Sequence, residues 1–185
     1  MRRSILALTV AVSAGIAATA HELPESSATV IVRDGGQVEL RLQIPYAEVM
    51  QRALAPQQRP EAFLGVYANM PAPAFEQAAS RVQTEIVRDT RLVADGRTAE
   101  LRQWRFPSAE AIKASLQTLV MARIVGNAGQ EVPRLAVTAS AIVMPSARAV
   151  QLRLPVPFGR ALVTVSHPSE QWVEKGALSR PFPIP

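Results

Sequence analysis

Residues 27–44 read SATVIVRDGGQVELRLQI, and their pattern decides the fold class. Within 37–44, Val38, Leu40, Leu42 and Ile44 alternate with Gln37, Glu39, Arg41 and Gln43. Successive strand residues point to opposite faces, so this period of two sends one set into a core and the other into water. Residues 27–33 form a second β-rich run. Asp34-Gly35-Gly36 joins the two runs, and its glycines tolerate positive φ. The stretch predicts a β-hairpin, ended by Pro45, which has no N–H to give a ladder.

Working outward, the period changes to that of helices. Tyr46, Val49, Met50 and Leu54 fall on one helical face of 46–55. Residues 61–69 predict a short helix with Phe63, Leu64 and Tyr67 inward. Phe75, Ala78, Ala79, Val82 and Ile86 recur at three- and four-residue spacing, with Pro73 suited to a first turn. Asp95-Gly96 between the extended runs 88–94 and 97–105 predicts a second hairpin. Ser108 is a candidate N-cap for a helix over 109–125, whose apolar stripe is Ile112, Leu116, Leu119, Val120 and Ile124. Gly126 suits a left-handed C-terminal cap.

The last third returns to strand patterning. Leu135, Val137, Ala139, Ala141 and Val143 alternate with polar neighbours, as do Val150, Leu152 and Leu154. Residues 161–166 (ALVTVS) are short, apolar and uncharged, the composition of a central strand. Strands at both ends with helices between them predict a single α+β domain. The economical form is one antiparallel sheet of about six strands with three to four helices packed on it.

Ahead of this domain, Arg2 and Arg3 precede the apolar run Ile5 to Ala18, and Ala18-Thr19-Ala20 fits a small-x-small cleavage site. That predicts a signal peptide over 1–20, an exported domain over 21–185, and a periplasmic location. The apolar run is shorter than the roughly 20 residues of a spanning helix. The chain has no cysteine, which excludes disulfides, thiolate metal sites and thiol catalysis. A formal charge of +5, dropping to +3 without Arg2 and Arg3, comes from arginines scattered along the chain. A nucleic-acid binder concentrates such charge on one face with stacking aromatics, so that class is disfavoured.

The pattern His21-x-Leu23-Pro24-x-Ser26-x-Ala28-x-Val30, then Val38-Glu39-Leu40-x-Leu42-x-Ile44-Pro45-x-x-Glu48, resembles the start of the periplasmic segment of HupE/UreJ-like membrane proteins. The resemblance spans about 30 residues, most of them general strand alternation. It implies an exported domain opening on a histidine, with a link to metal. That family also carries a membrane-embedded part that this chain lacks, so transport does not carry over.

Cleavage after Ala20 would leave His21 as the first residue. Its α-amine and Nδ1 could then chelate one metal, and copper(II) ranks first and nickel second for a nitrogen-rich, sulfur-free site. His167 is the only other histidine and the candidate third ligand, in the arrangement called a histidine brace. Lytic polysaccharide monooxygenases and periplasmic copper carriers of the CopC kind share that use of a first-residue histidine. The plainer account is that some residue must follow a cleavage site and that His167 in Ser-His-Pro is a turn residue. Met50, Met70, Met121 and Met144 lie far apart and read as packing residues. No Gly-x-Ser-x-Gly elbow supports serine hydrolysis, and Glu48, Glu61, Glu100 and Glu110 read as solvated faces, so the chain leans away from being an enzyme. Trp172, in a polar tail, is a candidate partner anchor. Two functions follow as expectations. One is a domain that binds or delivers a metal through His21. The other is a metal-free accessory domain that binds another envelope or inner-membrane protein.

Overall fold

The computed structural model describes residues 26–126, 132–168 and residue 175. β1 (Ser26–Val32) and β2 (Gln37–Ile44) form the expected antiparallel hairpin, with Val30 opposite Leu40. Arg33 N–H donates to the Gln37 carbonyl at 2.8 Å, and Gly35 and Gly36 both adopt φ of +79°. β6 (Leu135–Ile142) pairs along the whole other side of β2, from Ile44↔Leu135 to Gln37↔Ile142. β2 is therefore the central strand. Its Val38, Leu40, Leu42 and Ile44 are buried, as are Ala28 and Val30 on β1 and Val137 and Ala139 on β6.

That apolar face shares one core with four helices. They are α1 (Tyr46–Leu54), α2 (Pro60–Tyr67), α3 (Ala72–Asp89) and α4 (Ala109–Ile124). The expected stripes are the buried ones: Tyr46, Val49 and Met50; Phe63 and Leu64; Phe75, Ala79, Val82 and Ile86; Ile112, Leu116 and Leu119. Ser108 Oγ accepts from Ala111 N–H at 3.1 Å, and Gly126 closes α4 with φ of +76°. The stripe of α4 does not run to its end: Ile124 is 71% exposed, and Ala122 is the buried residue of the last turn.

The α+β class holds, but the strands make two sheets rather than one. The larger is mixed, with order β5-β6-β2-β1-β8, and the smaller is antiparallel, with order β4-β3-β7. Here β3 is Arg91–Ala94, β4 Arg97–Ala99, β5 Arg102–Arg105, β7 Val150–Arg153 and β8 Ala161–Ser166. Three local causes account for the difference. The first is where α3 stops: Thr90 Oγ1 donates to the Ile86 carbonyl at 2.6 Å, so the helix extends to Asp89 and the expected strand starts only at Arg91.

The second is a break at Glu100-Leu101, which splits the expected strand 97–105. Its first part stays with β3, while its second crosses to β6. The Asp95 carboxylate then ties the β3–β4 turn to the chain entering β7, accepting from the N–H groups of Arg148 and Ala149 at 2.9–3.2 Å.

The third cause sets β8. A turn at Val156–Phe158, anchored by the buried Pro157 and Phe158, brings the chain back beside the start of β1. Ser26 Oγ donates to the Phe158 carbonyl at 3.2 Å, and Arg52 Nη1 donates to that of Pro157 at 3.3 Å. Entering beside the beginning of β1, β8 must run the same way, so the two strands are parallel, with Ser26↔Ala161 and Ile31↔Ser166.

The hairpin turn supplies a test. Val143 N–H donates to the Gly36 carbonyl at 2.8 Å, and a Cβ on Gly36 would sit 2.2 Å from the Val143 oxygen. Gly35 has the same φ but nothing within 4 Å of such a Cβ. Gly35→Ala should cost about 1 kcal/mol from backbone strain alone. Gly36→Ala should cost about 3 kcal/mol or more, since β6 must also move. Urea unfolding of the two variants measures both, and equal costs would contradict this account.

Candidate functional site

His21, Trp172 and the signal-like segment 1–20 lie outside the described residues. His167 is exposed and directly follows β8. The parallel pairing places it at the far end of β1 from Ser26. Six strand residues separate the two ends, about 20 Å. Residues 21–25 extend to about 17 Å of backbone, and in a shared site the imidazoles and the metal–nitrogen bonds of about 2 Å would bridge the remainder. Among the described residues, no group of three or more His, Cys, Asp or Glu is placed to hold a metal ion.

The other candidate groups are also located. Met50 is fully buried, as a packing residue should be, and Met70 is half-buried with its carbonyl accepting from Lys113 Nζ at 2.7 Å. Met121 and Met144 are each 57% exposed, and the Met144 sulfur accepts from Arg97 at 3.6 Å. The carboxylates stand apart. Glu48 pairs with Arg52 at 3.3 Å, Glu61 with Arg123 at 3.1 Å, and Glu100 with Arg102. Glu110 sits in the first turn of α4, where the helix dipole favours it.

The face of the large sheet turned away from the core carries Ser27, Thr29, Arg41, Thr138 and Ser140, none of them buried. At the β2, β5 and β6 corner it forms a cleft of about 660 Å³. Glu39 accepts from Arg41 at 2.6 Å and approaches Arg33 at 3.7 Å, while Ser140 Oγ donates to Gln103 Oε1 at 2.9 Å. The charged groups of the cleft pair with one another, Glu39 with Arg41 and Arg33 and Glu100 with Arg102, so their charges offset.

The two edges of this sheet differ. At β5 the residues are Arg102, Gln103, Trp104 and Arg105. Gln103 has φ of +52°, and the register slips between Arg102 and Arg105. Charge and a bulge together are how proteins blunt an edge against further pairing. β8 has neither. Its six residues carry no charge and no proline, and they pair with β1 without a slip. Register with Ala28 and Val30 turns Val163 and Val165 toward the core side, yet they are 42% and 45% exposed. Leu162, on the other face, is 55% exposed. Among the described residues the core layer therefore stops at β1, and an apolar strand lies half-exposed at the rim.

The sequence points to these six residues, but as a central strand. That expectation is corrected here: β8 has a neighbour on one side only among the described strands. An uncharged, β-branched run signals a strand meant to be covered, and it cannot show whether its own chain supplies the cover.

No protein-family model, curated protein or solved structure matches this chain.

Two groups at the site's borders give measurable consequences. The hydrogen bond from Arg41 holds the Glu39 carboxyl below the ordinary glutamate range, helped by the charges of Arg41 and Arg33 and opposed by partial burial. A depressed carboxyl stabilises the fold above its unfolded pKa, and that contribution is lost as pH falls through the lower folded value. An NMR titration should place Glu39 below the ordinary midpoint of about 4.3, and Arg41→Gln should move it up. In the core, the Tyr46 hydroxyl is buried with no partner, and burial raises its pKa well above that of a free phenol. Removing an unsatisfied hydroxyl should not destabilise, so Tyr46→Phe should be neutral or stabilising by about 1 kcal/mol in urea unfolding. A clear loss would reveal a partner for that oxygen.

Proposed function

We propose that this chain is an exported, non-catalytic accessory domain that binds protein in the cell envelope by accepting an extended segment at β8. The observation that carries this reading is the contrast between edges of one sheet: β5 is charged and bulged, whereas β8 is regular, uncharged and, among the described residues, without a neighbour on its outer side. Strand addition draws affinity from main-chain hydrogen bonds and selectivity from alternate side chains. The incoming strand would meet Val163 and Val165 on one face and Leu162 and Thr164 on the other. It should therefore carry no charge over about six residues and be apolar at every second position. Among the described residues no helix is long and apolar enough to cross a membrane. A partner would come to this domain through its exposed edge.

A defined probe tests the reading. We would use a soluble peptide of alternating valine and threonine, six residues long, with a glutamate at each end. At millimolar concentration it should slow amide hydrogen exchange in 161–166 by about tenfold or more, leaving the outer strand β5 unchanged. Val165→Lys should remove that protection while leaving the far-ultraviolet circular dichroism intact. Exchange in β8 that ignores the peptide would overturn the reading.

A second reading rests on the junction Ala18-Thr19-Ala20-His21. In it, a processed chain binds copper(II) through the α-amine and Nδ1 of His21, with nickel second. His167 is the candidate third ligand in this version. Calorimetric titration of a chain beginning at His21, with electron paramagnetic resonance on the same sample, should give binding tighter than about 1 µM. His21→Ala should weaken it by roughly 100-fold, and His167→Ala should weaken it by less, since that residue supplies one nitrogen against two. Binding unaffected by His21→Ala would end the metal reading.

A further inference from the structure

Resting on the proposal that β8 accepts a strand, we infer that the strand is β8 of a second copy of this chain. The two copies pair antiparallel about a two-fold axis at Val163. The residue pattern of β8 selects that arrangement. With Val163 opposite Val163 of the second copy, Ala161 lies opposite Val165 and Leu162 opposite Thr164. Every core-side residue then meets a core-side residue, and the exposed valines become one another's cover. A shift of one residue would set the core side of one copy against the outer side of the other, because the side-chain period is two.

Shifts of two residues keep the faces matched but lose other terms. Centring on Leu162 sets Thr164 opposite Arg160. Centring on Thr164 sets Arg160 opposite Pro168, which has no N–H to pair. In the Val163 register, Arg160 faces Ser166 and His167 faces Gly159, so no two cations meet although each copy is net positive. Each half of the interface is then the same patch, as a closed two-fold dimer requires. The result is one sheet of ten strands with the helices of both copies on one side, closed at its two ends by the charged, bulged β5 edges.

The chain contains no cysteine, so single cysteines report the register without background. Sedimentation velocity of the full chain from about 1 to 200 µM should show a monomer–dimer equilibrium. Val163→Lys, which sets two ammonium groups against each other at the axis, should weaken it at least tenfold. Mild oxidation of Val163→Cys should give a disulfide-linked dimer. Leu162→Cys, whose counterpart is Thr164, should cross-link at least tenfold more slowly. A dimer that survives Val163→Lys, or that cross-links as well through Leu162→Cys, would overturn the inference. So would a full chain that stays monomeric and dimerises only when residues 169–185 are deleted, which would name that segment as the occupant of β8. A monomer throughout, with β8 still protected by the valine–threonine peptide, would overturn self-pairing and leave the strand-acceptor reading standing. Absence of both would end both.

Discussion

The fold depends on β2 being hydrogen-bonded on both sides while one of its faces is dry. β1 and β6 each pair with it over most or all of its length, and Val38, Leu40, Leu42 and Ile44 line the floor of the core. Each such side chain contributes about 1.5–3 kcal/mol when buried. A one-residue slip of β2 would turn all four into water and bring Glu39 and Arg41 inside, so its register is heavily enforced. The Gly36–Val143 contact pins the same register from the turn end, where β6 finishes against the hairpin.

A smaller feature decides what the molecule can do. The turn at Val156–Phe158, held by Ser26 and Arg52, returns the chain to the beginning of β1 rather than its end. That single placement makes β8 parallel, sends His167 to the far end of the sheet, and puts an apolar strand at the rim. The histidine geometry and the exposed edge are thus two results of one crossing. The exposed edge is what favours, in the reading proposed above, a surface that pairs with another strand.

Most elements were legible because their signals are local. The alternation in 37–44, the stripes of α1 and α3, the Ser108 cap and the Gly126 cap all lie within one turn or one strand of the residues that cause them. Errors gathered where the deciding partner is distant in sequence. Residues 97–105 look continuous, yet β4 follows β3 and β5 follows β6, and only the break at Glu100-Leu101 reconciles the two. Ile124 fits the apolar stripe, yet in the last turn of α4 it is Ala122 that is buried and Ile124 that is exposed. Of the sites singled out from the sequence, His167 is located, at the end of β8, while His21 and Trp172 lie beyond the described residues.

By itself the sequence determined the α+β class, the first hairpin, the faces of the helices and the want of any thiol chemistry. These follow from periodicity and composition, which act over a few residues. Only the tertiary structure decided that the strands divide into two sheets, that β8 runs parallel to β1, and that β8 stands at an edge. Those depend on which distant segments meet. An uncharged strand such as ALVTVS carries the same pattern whether it is covered by its own chain or left for another to cover.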